Sequence, residues 1–146
     1  MLSLILALSL FVPNTNPLPP QKQIDCLAYT IVYEAGNQPV NVQRIIADAV
    51  INRRESDKFP NTLCSVVLQK NQFSWTANQR WKHNMITNRI GGKQTMSQLN
   101  VAYAVAYTEL LFGTTHDYMF FTDKSIRPRW TRNMQLTQKG DFYFYD

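Results

Sequence analysis

Two apolar helical patterns follow one another in the amino-terminal half of the chain, and together they require a helical core. Apolar side chains recur at the spacing of one helical face from Ile24 to Ala35 and again from Val42 to Val50. Pro20 can open the first helix because proline is tolerated in a first turn, and Gly36 supplies its end. The second helix is predicted over about residues 40–54, with arginines at its carboxyl end.

The middle of the chain predicts two more helices around an irregular segment. Residues 59–69, FPNTLCSVVLQ, predict a turn followed by a short third helix. Residues 70–94 show no clear period, so we expect them to be irregular. Ser97 is a suitable cap for a helix that ends at Phe112, just before Gly113.

The carboxyl-terminal part has a different composition. The segments DYMFFT (117–122) and DFYFY (141–145) are rich in aromatic residues and favour strands. A length of 146 residues suits one compact domain. The chain therefore predicts a single α+β domain, mainly α, with a small β element near its carboxyl terminus.

The amino-terminal segment predicts export or anchoring. Residues 1–12, MLSLILALSLFV, are shorter than the roughly 20 residues that span a bilayer but match the apolar core of a signal peptide. PNTNPLPP then forms a stiff spacer. We expect residues 1–20 to be a signal peptide or inner-membrane anchor with its spacer, and residues 21–146 to be the functional domain. The alternative is that the apolar run is a buried first helix.

The positive charge of the chain is unevenly distributed. The net charge is +5, and no Asp or Glu occurs from Lys58 to Thr108. Such a stretch favours a polyanionic partner, whether nucleic acid, an anionic membrane or the bacterial cell wall, although a solvated basic face is an equal alternative. Because the chain carries no recognisable nucleic-acid-binding motif, we expect no nucleic-acid partner.

The cysteine count permits one disulfide. Cys26 and Cys64 are the only cysteines, and exported chains tend to pair such residues. Two buried free thiols are the alternative. The two histidines, His83 and His116, do not have the spacing of a zinc site, so we expect no metal.

Glu34 is the first candidate for chemistry. It is one of only three glutamates and lies on the last turn of the first helix, at the edge of the apolar face, where clefts often form. The negative end of the helix dipole and partial burial both raise the pKa of such a carboxyl. A glutamic acid that is protonated near neutral pH can act as a general acid. The structural alternative is an ion pair with Arg44 or Arg53.

With these motifs in view, the chain resembles the SleB/CwlJ-type cell-wall hydrolases, which include spore-cortex-lytic enzymes and phage lysins. The resemblance extends from CLAYTIVYEAGNQP through an A-x-x-V-x-N-R helix to FPNTLCSVV and QFSW. Matching positions include Cys26, Glu34, Pro39, Ala47, Val50, Asn52, Arg53, Phe59, Pro60, Thr62, Cys64, Gln72, Phe73, Ser74 and Trp75. It is looser in the carboxyl-terminal part, where Pro128 and Trp130 form a Pro-x-Trp motif.

The resemblance implies a lysozyme-like fold and an enzyme that cleaves peptidoglycan glycan strands, with Glu34 as the catalytic residue and no cofactor. The family's Arg-Gly-Glu after the catalytic Glu-Ala is replaced by Gly36, Asn37 and Gln38, so that loop lacks a second carboxylate. Glu109 and Asp123 are the remaining acids that folding could bring near Glu34.

A scarcity of acids favours a lytic transglycosylase, which needs one carboxyl, over a hydrolytic muramidase, which needs two. A non-catalytic wall-binding module is the third alternative. We expect an exported or anchored monomer that acts in the periplasm or cell wall.

The QFSW motif is interpreted as a sugar-binding platform. Trp75 and Phe73 offer apolar faces to sugar rings, and Gln72 and Ser74 offer hydrogen bonds to N-acetyl groups. Tyr33 and Trp130 are the further candidates for substrate binding. Phe73 could instead fill the core.

We predict that deletion of residues 1–18 leaves a folded, soluble and active domain, because the apolar run serves export or anchoring and not the core. Circular dichroism and a wall-digestion assay of the truncated protein measure this. An unfolded truncated protein would show that the run belongs to the core.

Overall fold

The structure is a computed structural model that describes residues 15–146. Within this range a helical region precedes a small β-sheet. The helices are α1 (Gln21–Ala35), α2 (Val40–Glu55), α3 (Leu63–Val67), α4 (Arg80–Thr87) and α5 (Met96–Phe112), with short 3-10 helices at Ser74–Ala77 and Arg129–Thr131. The strands are β1 (Phe120–Asp123), β2 (Leu136–Lys139) and β3 (Phe142–Tyr145).

The apolar run that predicts export, residues 1–12, lies outside the described residues. From residue 15 onward, no helix is both long enough and apolar enough to cross a membrane. The spacer contacts the domain, since the amide of Asn16 donates to the carbonyl of Leu111 at 2.8 Å.

Helix α1 lies at the centre of the domain. It packs against α2, α3 and α5. All five residues of its predicted stripe are buried: Leu27, Ala28, Ile31, Val32 and Ala35. Tyr29 and Thr30 are also fully buried. Because three helices surround α1, its buried surface is wider than a single amphipathic stripe.

Helices α2, α3 and α5 confirm the predicted elements. The apolar face of α2 is buried as expected, and α3 is capped by Thr62, whose side chain accepts from the amide of Ser65. Cys26 and Cys64 form a disulfide that joins α1 to α3. The central helix is therefore covalently linked to the short helix that follows α2.

The expectation of an irregular segment at residues 70–94 is wrong in part, because that segment contains a 3-10 helix and α4. Helix α4 is polar and short, and none of its residues is buried. Its carboxyl end is stabilised by a side chain of α1: the hydroxyl of Tyr29 donates to the carbonyls of Asn84 and Arg89 at 2.9 and 2.8 Å. Such a tertiary contact has no signature in the local sequence.

The cap of α5 also differs from the expectation. Thr95, not Ser97, caps this helix, and it forms a capping box with Gln98. The carboxyl end agrees with the sequence, since the helix stops at Phe112 before Gly113.

The three strands form an antiparallel sheet in the order β1-β3-β2. Phe142 and Phe144 of β3 are buried against α2 in a second apolar cluster. The α+β class, mainly α with a small carboxyl-terminal sheet, is therefore confirmed. Strand β2 was not predicted, because its four residues LTQK are partly or fully exposed and carry no strong strand signal.

Helix α2 fixes the loop that leads into β1. The side-chain amide of Asn52 donates to the carbonyls of His116 and Tyr118 at 2.6 and 3.0 Å. Arg53 donates to the carbonyl of Met119 at 2.6 Å. These bonds position β1 beside the end of α1, where Glu34 lies.

We predict that replacing both cysteines with alanine lowers the free energy of unfolding by about 3–4 kcal/mol, because the disulfide closes a long loop in the unfolded chain. The two residues are separated by 38 positions. Denaturant unfolding of the oxidised protein and the double variant measures the difference. A mass spectrum of the oxidised protein that shows two free thiols would contradict the pairing.

Candidate active site

Glu34 lies at the meeting point of two pockets, at the carboxyl end of α1. One pocket has a volume of about 290 Å³ and the other about 460 Å³. Of the described residues, Glu34 and Asp123 are the two that line both pockets. The pockets are therefore two arms of one open groove that meet at these carboxyl groups.

The two arms differ in chemistry. The first, which we call the polar arm, is rich in amide and charged side chains: Asn37, Gln38, Lys93, Gln94, Gln98 and Asp141. The second, the aromatic arm, is lined largely by rings, together with amide side chains and Arg53: Asn71, Gln72, Phe73, Phe120, Phe121 and Trp130. An elongated ligand of mixed character fits such a groove.

Burial raises the pKa of Glu34 to about 7. The positive charge of Arg53 acts in the opposite direction, and the negative charge of Asp123 adds to the rise. The alternative of an ion pair with Arg44 or Arg53 is not observed: among residues 15–146, the carboxylate of Glu34 has no salt bridge, and Arg44 instead binds Glu109 at 2.6 Å. Glu34 is thus a glutamic acid that can be protonated or ionised at neutral pH.

Arg53 provides a fixed positive charge near Glu34. It is buried, and its guanidinium lies 5.5–5.8 Å from the ring centroids of Phe59, Phe73 and Phe120. It also donates to the side-chain oxygen of Gln72 at 3.3 Å. Burial lowers the pKa of Arg53 to about 10, so the group stays charged at neutral pH.

The predicted sugar-binding residues separate into two sets. Gln72, Phe73 and Trp130 line the aromatic arm, and Tyr33 lines the polar arm. Ser74 and Trp75 line neither arm. For all six residues, a role in substrate binding stays a prediction.

The aromatic candidates differ in how much of each ring a substrate could reach. Trp75 stacks on Tyr33 with ring centroids 4.9 Å apart. Phe73 is only 5% exposed and is part of the main core, whereas Trp130 is 57% exposed. Trp130 therefore offers the most accessible aromatic face in the groove.

Two groove residues were not assigned to the site from the sequence. Arg53 was considered as a structural partner of Glu34 and as a family match, and Asp123 only as an acid that folding could bring near Glu34. A signal for Arg53 was present, because it falls seven residues after Ile46, on the buried face of α2. No local signal places Asp123 beside Glu34, because only the sheet brings β1 to α1.

The third acid considered from the sequence, Glu109, does not reach the groove. Its side chain is fully buried and paired with Arg44. In the described part of the chain, no cluster of three or more His, Cys, Asp or Glu side chains could hold a metal ion.

A mainly helical domain that holds a glutamic acid of near-neutral pKa in an open groove has the form of enzymes that cleave polysaccharide chains. The family comparison agrees with that class. The model of the cell wall hydrolase family matches residues 37–145, and the chain belongs to this family. Because the matched region begins just after Glu34, the match itself does not cover that residue.

Two solved structures have a similar fold. The catalytic domain of the Bacillus cereus SleB protein is 17% identical, with a TM-score of 0.62 over 92% of this chain and 98% of that chain. The catalytic domain of the germination-specific lytic transglycosylase SleB from Bacillus anthracis is 18% identical, with a TM-score of 0.59 over 92% of this chain and 100% of that chain. At these identities the comparison shows a shared fold. No curated protein matches the chain.

We predict that Glu34→Gln stabilises the protein at alkaline pH. The folded-state pKa of Glu34 is about 7, above its ordinary value of 4.5, so ionisation of Glu34 destabilises the folded state as pH rises through that window. Glutamine cannot ionise. The variant should be more stable than the wild type by on the order of 2 kcal/mol at about pH 8, and equal to it at about pH 4.

Denaturant unfolding at the two pH values measures this difference. Glu55→Gln is the matched control, because the Glu55 side chain is 65% exposed. It should show no comparable gain. Equal stability of wild type and Glu34→Gln at both pH values would contradict the raised pKa.

Proposed function

We propose that this protein is a lytic transglycosylase that cleaves the MurNAc–GlcNAc glycan strands of peptidoglycan, with Glu34 as its acid and base. The observation that carries the proposal is the position of Glu34 at the junction of the groove, where burial brings its pKa to about 7. Such a carboxyl can donate and accept a proton at neutral pH. Membership of the cell wall hydrolase family supports the substrate. The similar fold of the Bacillus anthracis lytic transglycosylase supports the reaction type.

In this mechanism a single carboxyl group completes the reaction. Protonated Glu34 donates to the glycosidic oxygen, and the bond from that oxygen to C1 of MurNAc breaks. The Glu34 carboxylate then takes the proton of the C6 hydroxyl of the same sugar, and the C6 oxygen bonds to C1. The products are a 1,6-anhydro-MurNAc end and a GlcNAc with a free C4 hydroxyl, so no water is consumed and Glu34 is again protonated.

Arg53 has a defined part in this cycle. Its guanidinium is held in place by the carbonyl of Met119 and by three aromatic rings. A fixed positive charge stabilises the Glu34 carboxylate that forms when the proton leaves. The same attraction lowers the pKa of Glu34 in the folded protein.

The groove suits a glycan strand. Sugar rings present apolar faces that stack on aromatic side chains, and the exposed ring of Trp130 in the aromatic arm offers such a surface. The amide side chains of the polar arm can bond hydroxyl and N-acetyl groups. A strand that lies along both arms carries its scissile bond past Glu34.

Hydrolytic muramidase activity is the second candidate, and one observation favours it. Asp123 lines the groove on both sides of the junction and supplies a second carboxylate. A glycosidase that uses water needs two carboxyl groups, one as acid and one as nucleophile or base. The chemical form of the product end distinguishes the two reactions.

We also propose that the protein acts in the periplasm or cell wall, exported or held at the inner membrane by residues 1–12. The disulfide between Cys26 and Cys64 supports this location, because disulfides persist in oxidising compartments.

We predict that Glu34→Gln reduces turnover of purified peptidoglycan by at least about a hundredfold, the usual scale of general acid catalysis. The variant keeps the shape of the side chain and removes its proton, so circular dichroism should show an intact fold. Mass analysis of wild-type products should find 1,6-anhydro-MurNAc ends.

Three results would count against this assignment. A well-folded Glu34→Gln protein that digests wall at the wild-type rate would exclude Glu34 as the acid and favour a wall-binding module. Reducing MurNAc ends would establish hydrolysis in place of transglycosylation. A large loss of turnover in the control Glu55→Gln, which alters a surface glutamate outside the groove, would show that the assay responds to general damage.

A further inference from the structure

Among residues 15–146, Asp123 has a position in the groove that only Glu34 shares. It is the last residue of β1, and it lines both the polar and the aromatic arm. The register of the sheet fixes this position, since Asp123 pairs with Phe142 of β3, a residue buried against α2. A substrate that extends from one arm into the other lies beside both carboxyl groups.

The surroundings of Asp123 keep it ionised. Its Oδ1 accepts hydrogen bonds from the amide of Ser125 at 2.9 Å and from the hydroxyl of Ser125 at 2.6 Å. These bonds lower the pKa of Asp123, whereas burial raises that of Glu34. Two carboxyl groups in one groove whose environments favour opposite charge states are a recognised arrangement for divided roles in glycan cleavage.

We propose that Asp123 is a second catalytic residue, whose carboxylate faces the reacting sugar and stabilises the positive charge that develops at C1. The inference rests on the proposed function of the groove. When Glu34 protonates the glycosidic oxygen, the bonding pair leaves with that oxygen, and C1 and the ring oxygen share the positive charge. Asp123 forms no bond and exchanges no proton, so the products are unchanged.

The remaining charged groups of the groove do not offer the same function. Besides Glu34 and Asp123, the titratable or charged side chains that line the groove are Tyr33, Arg53, Lys93 and Asp141. Asp141 is confined to the polar arm, where it binds Gln38 at 2.8 Å and Lys124 at 3.1 Å. Arg53 and Lys93 carry the wrong sign to stabilise a cation. Of these groups, Asp123 is therefore the anionic side chain that, like Glu34, lines both arms of the groove.

The charge of Asp123 also acts on Glu34 itself, which gives the proposal a second readout. Asp123 raises the pKa of Glu34 through the repulsion of like charges. Removal of its charge must lower the pKa of Glu34, and the alkaline limb of the pH–rate profile then moves to lower pH. This shift reports the interaction between the two carboxyl groups, and a fall in kcat at unchanged KM distinguishes a catalytic role from a turn-forming one.

The decisive variant is Asp123→Asn, which keeps the side-chain oxygen that accepts from Ser125 and removes the charge. We expect kcat on purified peptidoglycan to fall by roughly a hundredfold. KM should stay near the wild-type value, the ends should remain 1,6-anhydro, and the alkaline limb should shift to lower pH. Asp57→Asn is the matched control, because it removes the same charge from an exposed aspartate that lines neither arm of the groove. It should keep the wild-type kcat and profile.

A second variant keeps the test valid if Asp123→Asn does not fold. Ser125→Ala leaves the carboxylate in place but removes one of its hydrogen bonds, so the acid limb of the profile should move to higher pH. A folded Asp123→Asn protein with kcat within about twofold of the wild type overturns the catalytic role of Asp123, whether or not the alkaline limb moves. In that case an inactive Glu34→Gln protein still supports the proposed function, whereas an active one overturns it.

Discussion

The buried guanidinium of Arg53 joins the parts of the protein on which the groove depends. It belongs to α2, binds the carbonyl of Met119 just before β1, and is enclosed by Phe59, Phe73 and Phe120. One side chain thereby connects the helical core, the QFSW segment and the sheet. A buried charge without these partners would strongly destabilise the fold, so the arrangement is closely specified.

The same charge sets the chemistry of Glu34. Burial alone would raise the pKa of this carboxyl further, and Arg53 limits the rise while Asp123 increases it. The outcome, a pKa of about 7, suits the role of acid and then base that we propose for Glu34. The protein obtains this value chiefly from burial at the end of α1, adjusted by two fixed charges on different elements.

Helix α2 carries a second buried polar network, which joins α2 to α5 and to the loop that leads into β1. Asp48 accepts from the amide and the ring Nδ1 of His116 at 3.2 and 2.8 Å, and Arg44 binds Glu109 of α5. Burial and a hydrogen bond with Asp48 raise the pKa of Glu109. Glu109 is thus used to hold α5 against α2, which explains why a glutamate that is conspicuous in the sequence has no part in the groove.

The sequence by itself determined the helical core, the strands β1 and β3, the possibility of a single disulfide and the placement of Glu34 at a helix end, because these depend on local periodicity, composition and residue type. It could not determine α4, whose end is stabilised by the distant hydroxyl of Tyr29, or the exposed edge strand β2. The charges that surround Glu34 were decided only by tertiary structure. Arg53 and Asp123 are 19 and 89 residues away from Glu34 along the chain, and only the packing of α2 and of the sheet against the end of α1 brings them together.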